Sequence, residues 1–543
     1  MGTSASGCND CSKNPQVDVE VTSIQAPKAL QGEQPDARGL QAQVNVAPGA
    51  QRSKELRRSQ LLRNALVPDF EILRGLSVQE SLRGFGRLWR FSPTDLSEES
   101  RAAMWQRSRP LESFDLFLSH TWRTKGLWKF LALSLQCGWQ RLVLSWFLAL
   151  VLVEILVYFD ILPLHMNFTA VFEGNTYTFP FGAWGLFLAN LTPVITAVAA
   201  PGGTRNCFLD IVSINQVDED LMERGIYGLG GCLAVTKELR ILWSKPYLSR
   251  LWCIFEIAAY RFVNPNGKLT LAPLFLESGV VMLWLGQNII MVVYLELLTV
   301  DATLPRFMVA PAVMPFVVMV HMMRKNLLVK QELFASLENF DVDKAECSKE
   351  FDREFVLQAI ERWYGSREAF TDYVRGPLRK ELLGKQANSL LPLQYCFVIV
   401  SPILSLSFDI LLGLVKSALP LRFLLCYVLS IMVGTMVFMG AVAVRFSLFL
   451  CERFAAPYKP SRCCDWLQSV VVFLACSVIG FAGFLASVLA YSTSLGASLV
   501  WCFCVICLMG LSGMDWNRVS AKINCRRAPP EKSPADGEGH MSL

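Results

Sequence analysis

The feature that most constrains this chain is a series of long stretches carrying almost no charge, separated by segments of ordinary charge. A helix needs roughly 20 mostly apolar residues to cross the hydrocarbon core of a bilayer. Eight stretches reach or approach that length: 142–159, 181–200, 274–298, 307–323, 390–415, 419–444, 466–490 and 495–512. The last two are joined only by the turn at 492–494 and form a tight hairpin. Composition agrees, since 18% of the 543 residues are charged against about 25% in an average soluble domain.

Lysine and arginine in the connecting segments set the orientation of such a chain. The segments 201–272, 324–388, 445–462 and 513–543 are rich in them. The alternate connections are nearly bare: 160–180 has none, and the others hold only Arg306, Lys416 and Arg422. The expected topology is therefore an integral, multi-pass protein with both termini in the cytosol. The sequon Asn167-Phe168-Thr169 falls in a connection assigned to the far side. The start, Met1-Gly2-Thr3-Ser4-Ala5-Ser6, matches a myristoylation pattern at Gly2, with Cys8 as a palmitoyl candidate. It has no apolar run of the secretory kind. The net charge of +5 is small for this length and gives no argument for nucleic acid. No zinc-type pairing of two CxxC motifs and only four histidines occur, so no metal site is expected.

The expected organisation follows from these boundaries. Residues 1–66 are expected to form a disordered, polar arm ending in a basic stretch, and 67–136 hold a pre-segment and the first part of an α/β module. A membrane hairpin at 141–200 interrupts that module, and 201–273 complete it. Two spans follow in 274–323, amphipathic cytosolic helices in 324–389, four spans in 390–512 and a tail in 513–543. The basic stretch 52–66 suits either the anionic inner leaflet or an ordinary solvated helix face.

Within the module, FDLFLSH at 114–120 reads as a buried strand and NCFLDIVSINQ at 206–216 as a second. RILWS at 240–244 is a third and KLTLAPLF at 268–275 a fourth. Helical patterns lie between them, and such alternation argues for a parallel sheet. Because the intervening spans form a hairpin, the two pieces of the module can meet.

The segment Phe114–His120 resembles the first strand of the TIR family, named after Toll and interleukin receptors, and Cys207-Phe208-Leu209-Asp210 resembles its second. The run from Ser244 to Glu256, SKPYLSRLWCIFE, resembles the family's S-x-x-Y-x-x-S-x-W-C-x-x-E segment. Ser213-Ile214-Asn215-Gln216 and Glu223-Arg224 also resemble the related HET domains. The implied fold is a helical membrane bundle of about eight spans plus a small cytosolic α/β parallel-sheet module, TIR- or flavodoxin-like, split by a membrane hairpin.

The resemblance implies self-association or pairing with another TIR domain. In TIR enzymes it also implies cleavage of NAD, with Glu256 at the catalytic position. A carboxylate beside the ribose stabilises an oxocarbenium-like transition state, and the neutral nicotinamide leaves without a general acid. His120, Asp210, Ser213 and Ser244 fall at or just past the strand ends, where open parallel sheets bind ligands. Trp252 is four residues from Glu256 and is expected on the same helix face. A surface glutamate neutralised by Arg250 or Arg261, with Trp252 in the core, is the plainer alternative.

Ionisable residues inside spans are functional candidates. Ser401, Ser405 and Asp409 recur every four residues and form one polar stripe. It suits either a water-filled path or an inter-helix hydrogen-bond contact. Three functions are thus in view: a membrane signalling or adaptor protein, an NAD-cleaving enzyme, and a transporter or channel with a regulatory module.

Overall fold

Short apolar runs for the buried strands, alternation in one exposed hairpin, and long apolar runs along the helices account for most of the secondary structure. The computed structural model describes residues 48–299, 310–384 and 392–512. The chain divides into two compact units, Met1–Glu55 and Leu56–Leu543, and the elements named below lie in the second. The lipidation candidates Gly2 and Cys8 lie outside the described residues.

The strands are β1 (Arg74–Ser77), β2 (Arg109–Pro110), β3 (Leu116–Ser119), β4 (Met166–Phe172), β5 (Asn175–Phe181), β6 (Asn206–Phe208), β7 (Glu238–Trp243) and β8 (Lys268–Pro273). The helices used here are α1 (Gly126–Tyr158), α2 (Gly185–Ala199), α3 (Leu251–Val263), α4 (Leu274–Glu296) and α5 (Ala310–Glu338). They continue with α6 (Glu350–Tyr364), α7 (Gln394–Lys416), α8 (Leu421–Arg453), α9 (Arg462–Thr493) and α10 (Leu495–Leu511).

Six strands make one sheet in the order β2-β1-β6-β3-β7-β8. β3 pairs in parallel with β6 on one side and β7 on the other, and β7 pairs in parallel with β8. The four strands expected from sequence therefore lie side by side. β1 and β2 extend the sheet antiparallel at one edge, an addition that the sequence pattern did not announce. All four residues of β3 and all six of β7 are buried. Covered on both faces, such strands read as apolar runs rather than as alternation.

Between β3 and β6 the chain leaves along α1 and returns along α2. Five helices, α1, α4, α7, α8 and α9, are long and apolar enough to cross a membrane; α2 and α10 are apolar but shorter. The stretch 307–323 begins outside the described residues and continues into α5. α2 starts later than expected because the preceding residues are extended. MNFTAVF and NTYTFPF alternate apolar and polar, and β4 and β5 pair antiparallel as a hairpin where a plain connection was expected. Gly174 turns it at φ +78°, a value that suits a residue without Cβ. Phe172 and Phe181 are buried on its inner face.

Each face of the main sheet has its own core. On one, Phe117, Phe208 and Ile241 meet Ile254, Phe255 and Ala258 of α3. On the other, Leu116, Leu118 and Leu209 meet Leu76, Leu82 and Trp89 together with Phe130 and Leu133 from the start of α1. Within 324–389, where the sequence predicts amphipathic helices, α6 forms a further layer on α3. Phe355 and Trp363 pack on Phe255 with ring centroids 5.9 and 5.4 Å apart. The Tyr364 hydroxyl donates to the Ala258 carbonyl at 3.0 Å. The physical reason is that α3 is buried almost all round, so its outer side needs cover as well. Arg57 and Arg58, at the start of this unit, pair with Glu223 and Glu354 on the same body.

Because Phe355 is fully buried in this layer, Phe355→Ala is expected to cost about 3–5 kcal/mol, the usual range for a core phenylalanine. Urea unfolding of the detergent-solubilised protein, followed by tryptophan fluorescence, measures it. A loss below about 0.5 kcal/mol, the range of surface changes, would detach α6 from the sheet core.

Candidate functional site

In an open parallel sheet, the ligand crevice forms beyond the carboxyl ends of the strands where connections leave in opposite directions. Here β3 is that point, because β6 lies on one side of it and β7 on the other. The residues that follow the three strands, His120, Asp210 and Ser244, gather on this rim.

Successive residues of a strand point to opposite faces, and this splits the rim in two. Ser119 faces α3. Its Oγ donates to Glu256 Oε2 and shares a short hydrogen bond with the Tyr247 hydroxyl. Tyr247 is fully buried, and its hydroxyl also reaches the Cys253 carbonyl at 3.4 Å. Glu256 itself is half-buried at the rim. Burial pushes its carboxyl up to about 8, the Ser119 hydrogen bond opposes this, and the nearby charge of Asp210 adds to it. Burial likewise raises the Cys253 thiol and the Tyr247 phenol well above their ordinary ranges.

His120 points to the other face. Trp89 and Trp122 stand edge-on to its ring, with centroids 5.0 and 4.6 Å away. Its Nδ1 lies 3.2 Å from the Leu118 carbonyl, and its Nε2 is 3.9 Å from Asp210 Oδ1. Trp122 Nε1 donates to Asp210 Oδ2 at 2.8 Å. Lys129 is fully buried beside them, with Nζ 4.8 Å from the centre of the Trp122 ring and 5.6 Å from that of Trp89. Both distances suit a cation–π contact. Burial, and then the Lys129 charge, push the His120 imidazole down to about 4. At neutral pH this ring is uncharged.

The remaining candidates are divided. The Ser244 Oγ is 2.6 Å from Thr124 Oγ1 on the rim. The Ser213 Oγ accepts from the Leu209 backbone N–H at 3.1 Å, so it closes a turn. Trp252 packs among Tyr227, Phe255 and Phe355, beneath α6. It belongs to the core layer rather than to the group around Glu256. Ser119, Tyr247, Trp89, Trp122 and Lys129 were not singled out from sequence. Strand alternation signals Ser119, and the S-x-x-Y segment contains Tyr247. Nothing local marks Trp89 or Lys129.

The polar stripe of α7 is fully engaged. Backbone N–H groups of Gly185 and Leu186 donate to Asp409 Oδ1 and Oδ2 at 2.9 and 3.0 Å. The carboxyl group thus takes up donors at the open start of α2, whose first N–H groups lack partners within the helix. Ser405 Oγ accepts from Trp146 Nε1 at 2.9 Å and from Asn190 Nδ2 at 3.2 Å. Ser401 Oγ donates to Asn190 Oδ1 at 3.2 Å and accepts from Trp284 Nε1 at the same distance. These are contacts between helices.

Comparison with protein-family models, curated proteins and solved structures returns no match.

Glu256 gives a signed pH prediction. Its folded-state pKa of about 8 exceeds the ordinary 4.5, so between these values the unfolded chain releases a proton that the folded chain keeps. The contribution to stability is full below about pH 4.5 and is lost as pH rises to about 8. Glu256→Gln does not titrate. Its thermal midpoint relative to wild type should climb from pH 5 to pH 8 and then level off. A difference independent of pH would show that the carboxyl is not buried.

Asp409→Leu leaves two N–H groups unpaired and should cost on the order of 1–3 kcal/mol. Asp409→Asn keeps one acceptor and should lose less. Thermal unfolding in detergent ranks the two, and equal midpoints would remove the capping role.

Proposed function

We propose that this chain is a multi-pass membrane protein whose α/β part is a TIR-like signalling or interaction module coupled to its spans. One observation carries the proposal: a buried hydrogen-bonded chain that links the sheet to three apolar helices. In β7, Arg240 Nη2 donates to Glu238 Oε1 at 2.5 Å. Arg240 Nη1 also reaches Cys137 Sγ at 3.1 Å and Gln136 Oε1 at 3.4 Å on α1. Gln136 Nε2 donates to Glu277 Oε1 of α4 at 2.9 Å, and the Tyr395 hydroxyl of α7 donates to the same oxygen at 3.0 Å.

Arg240, Glu277 and Tyr395 are each buried. A buried polar group that loses its partner costs about 1–3 kcal/mol, so displacement of a helix strains the strand. The covalent path acts alike: α1 follows the end of β3 closely, and β8 passes directly into α4.

Gln136→Leu removes the central link. Hydrogen exchange of the full-length protein in nanodiscs should then speed up in the amides of β7 by about tenfold, equivalent to about 1.4 kcal/mol, with β6 little changed. Unchanged β7 exchange, or equal acceleration in every strand, would overturn the coupling.

The proposed topology has eight crossings, with the sheet and both termini on the Lys- and Arg-rich side. It is supported by the loop charges and by the position of the β4–β5 hairpin between α1 and α2. Asn167 is exposed on that hairpin. A glycan lost in Asn167→Gln would support this orientation, and labelling of residue 167 from the cytosolic side would reverse it. The partner on the cytosolic side would be a second TIR-like module, from another copy or another protein.

A second proposal, NAD cleavage by Glu256, is favoured by the position of that carboxyl on the rim. The carboxyl is largely protonated at pH 7, which works against the ionised form the chemistry needs. Any nicotinamide release should therefore rise through about pH 8 and vanish in Glu256→Gln. Absence of release at pH 9 removes the enzyme reading and leaves the interaction reading intact.

A further inference from the structure

Inside the helical bundle lies an elongated chamber of about 460 Å³, walled by α4, α5, α7, α8 and α9. Small-molecule sites span roughly 300–1,000 Å³. Along α9 the lining runs from Phe473 to Tyr491 on one helix face, about 27 Å of helix at about 1.5 Å per residue. The chamber is separate from the rim around Glu256 and from the Asp409 stripe.

Its chemistry is narrow. Among the described residues, no Asp, Glu, Lys, Arg or His lines it. A phosphate or carboxylate head inside it would have no cation to meet, and an unpaired charge in an apolar interior is costly. The walls carry Met291, Met319, Met323, Met436 and Met439, flexible side chains that adapt to a ligand's contour. At the end nearest the β4–β5 hairpin, Tyr294, Tyr427 and Tyr491 share one cluster with Phe168. The Tyr427 hydroxyl donates to the Ser407 carbonyl at 3.3 Å. Those of Tyr294 and Tyr491 make no hydrogen bond among the described residues. Halfway along α9, Gly480 is exposed and a Cβ added there would meet nothing within 4 Å, so the chamber opens outward at this point.

We infer that this chamber binds an elongated, uncharged lipid ending in a hydroxyl, with that hydroxyl against Tyr294 and Tyr491. A sterol and a long-chain alcohol share this chemistry.

The test uses the full-length protein in phosphatidylcholine vesicles with a photoreactive diazirine sterol, and separately with a photoreactive long-chain alcohol. After irradiation, adducts are mapped by mass spectrometry. At least one probe should label Met436 or Met439 saturably, and which probe does so identifies the source. Unlabelled lipid of the same kind should compete, whereas anionic lysophosphatidate should not. Gly480→Leu fills the open space with a stronger helix former and should cut labelling about tenfold, an affinity loss of about 1.4 kcal/mol. The Tyr294→Phe/Tyr491→Phe double variant should weaken it several-fold while the thermal midpoint holds. Labelling confined to the outward-facing Val478 and Phe481, labelling indifferent to Gly480→Leu, or equal competition by the anionic lipid would each overturn the inference.

Discussion

The pairing of β3 with β6 is the constraint on which the rest of this structure depends. These strands are hydrogen-bonded neighbours, yet the chain between them leaves the sheet along α1, turns through a β-hairpin and returns along α2. Closing so long a loop is entropically unfavourable for a flexible chain. Two helices packed side by side remove most of that freedom before the strands meet. Closing the central sheet is therefore easiest once these two helices have packed together. α1 makes the dependence physical. Its first turns lie in the sheet core through Phe130 and Leu133, and its later turns are apolar enough to cross a membrane.

Several buried polar groups in the helical region are partnered across helices. Away from water, each donor or acceptor needs a partner inside the protein. Asp409 meets the open N–H groups of α2, Asn190 bridges Ser401 and Ser405, and Glu277 is held by Gln136 and Tyr395. Groups that look like a stripe on one helix are thus spent on contacts with others. The methionine-lined chamber lies elsewhere and has a different character, with hydroxyls in place of charges.

The rim of the sheet shows how alternation along one strand separates neighbouring residues. Ser119 and His120 are adjacent in sequence but face opposite cores. The first joins Glu256 and Tyr247, and the second joins Trp89, Trp122 and Asp210. Burial moves the two titratable groups in opposite senses on the pH scale, the carboxyl upward and the imidazole downward, and leaves both mainly neutral near pH 7.

The sequence by itself determined the apolar runs, the four strands that became the parallel part of the sheet, and the stripe on α7. These are local patterns, fixed by the periods of helix and strand and by the length a bilayer imposes. It also placed His120, Asp210, Ser244 and Glu256 at strand ends or on the following helix, because the strands were legible. What only the tertiary structure decided is which face each residue meets. Trp252 shares a helix with Glu256 but is claimed by Phe355, which lies far along the chain. Lys129 is buried between two indoles, one contributed by the segment before β2. The layer α6 adds to α3, the strands β1 and β2, and the chamber between α4 and α9 all arise from contacts between distant segments. No local period encodes such contacts, because they depend on which surfaces remain uncovered once the nearer elements have packed.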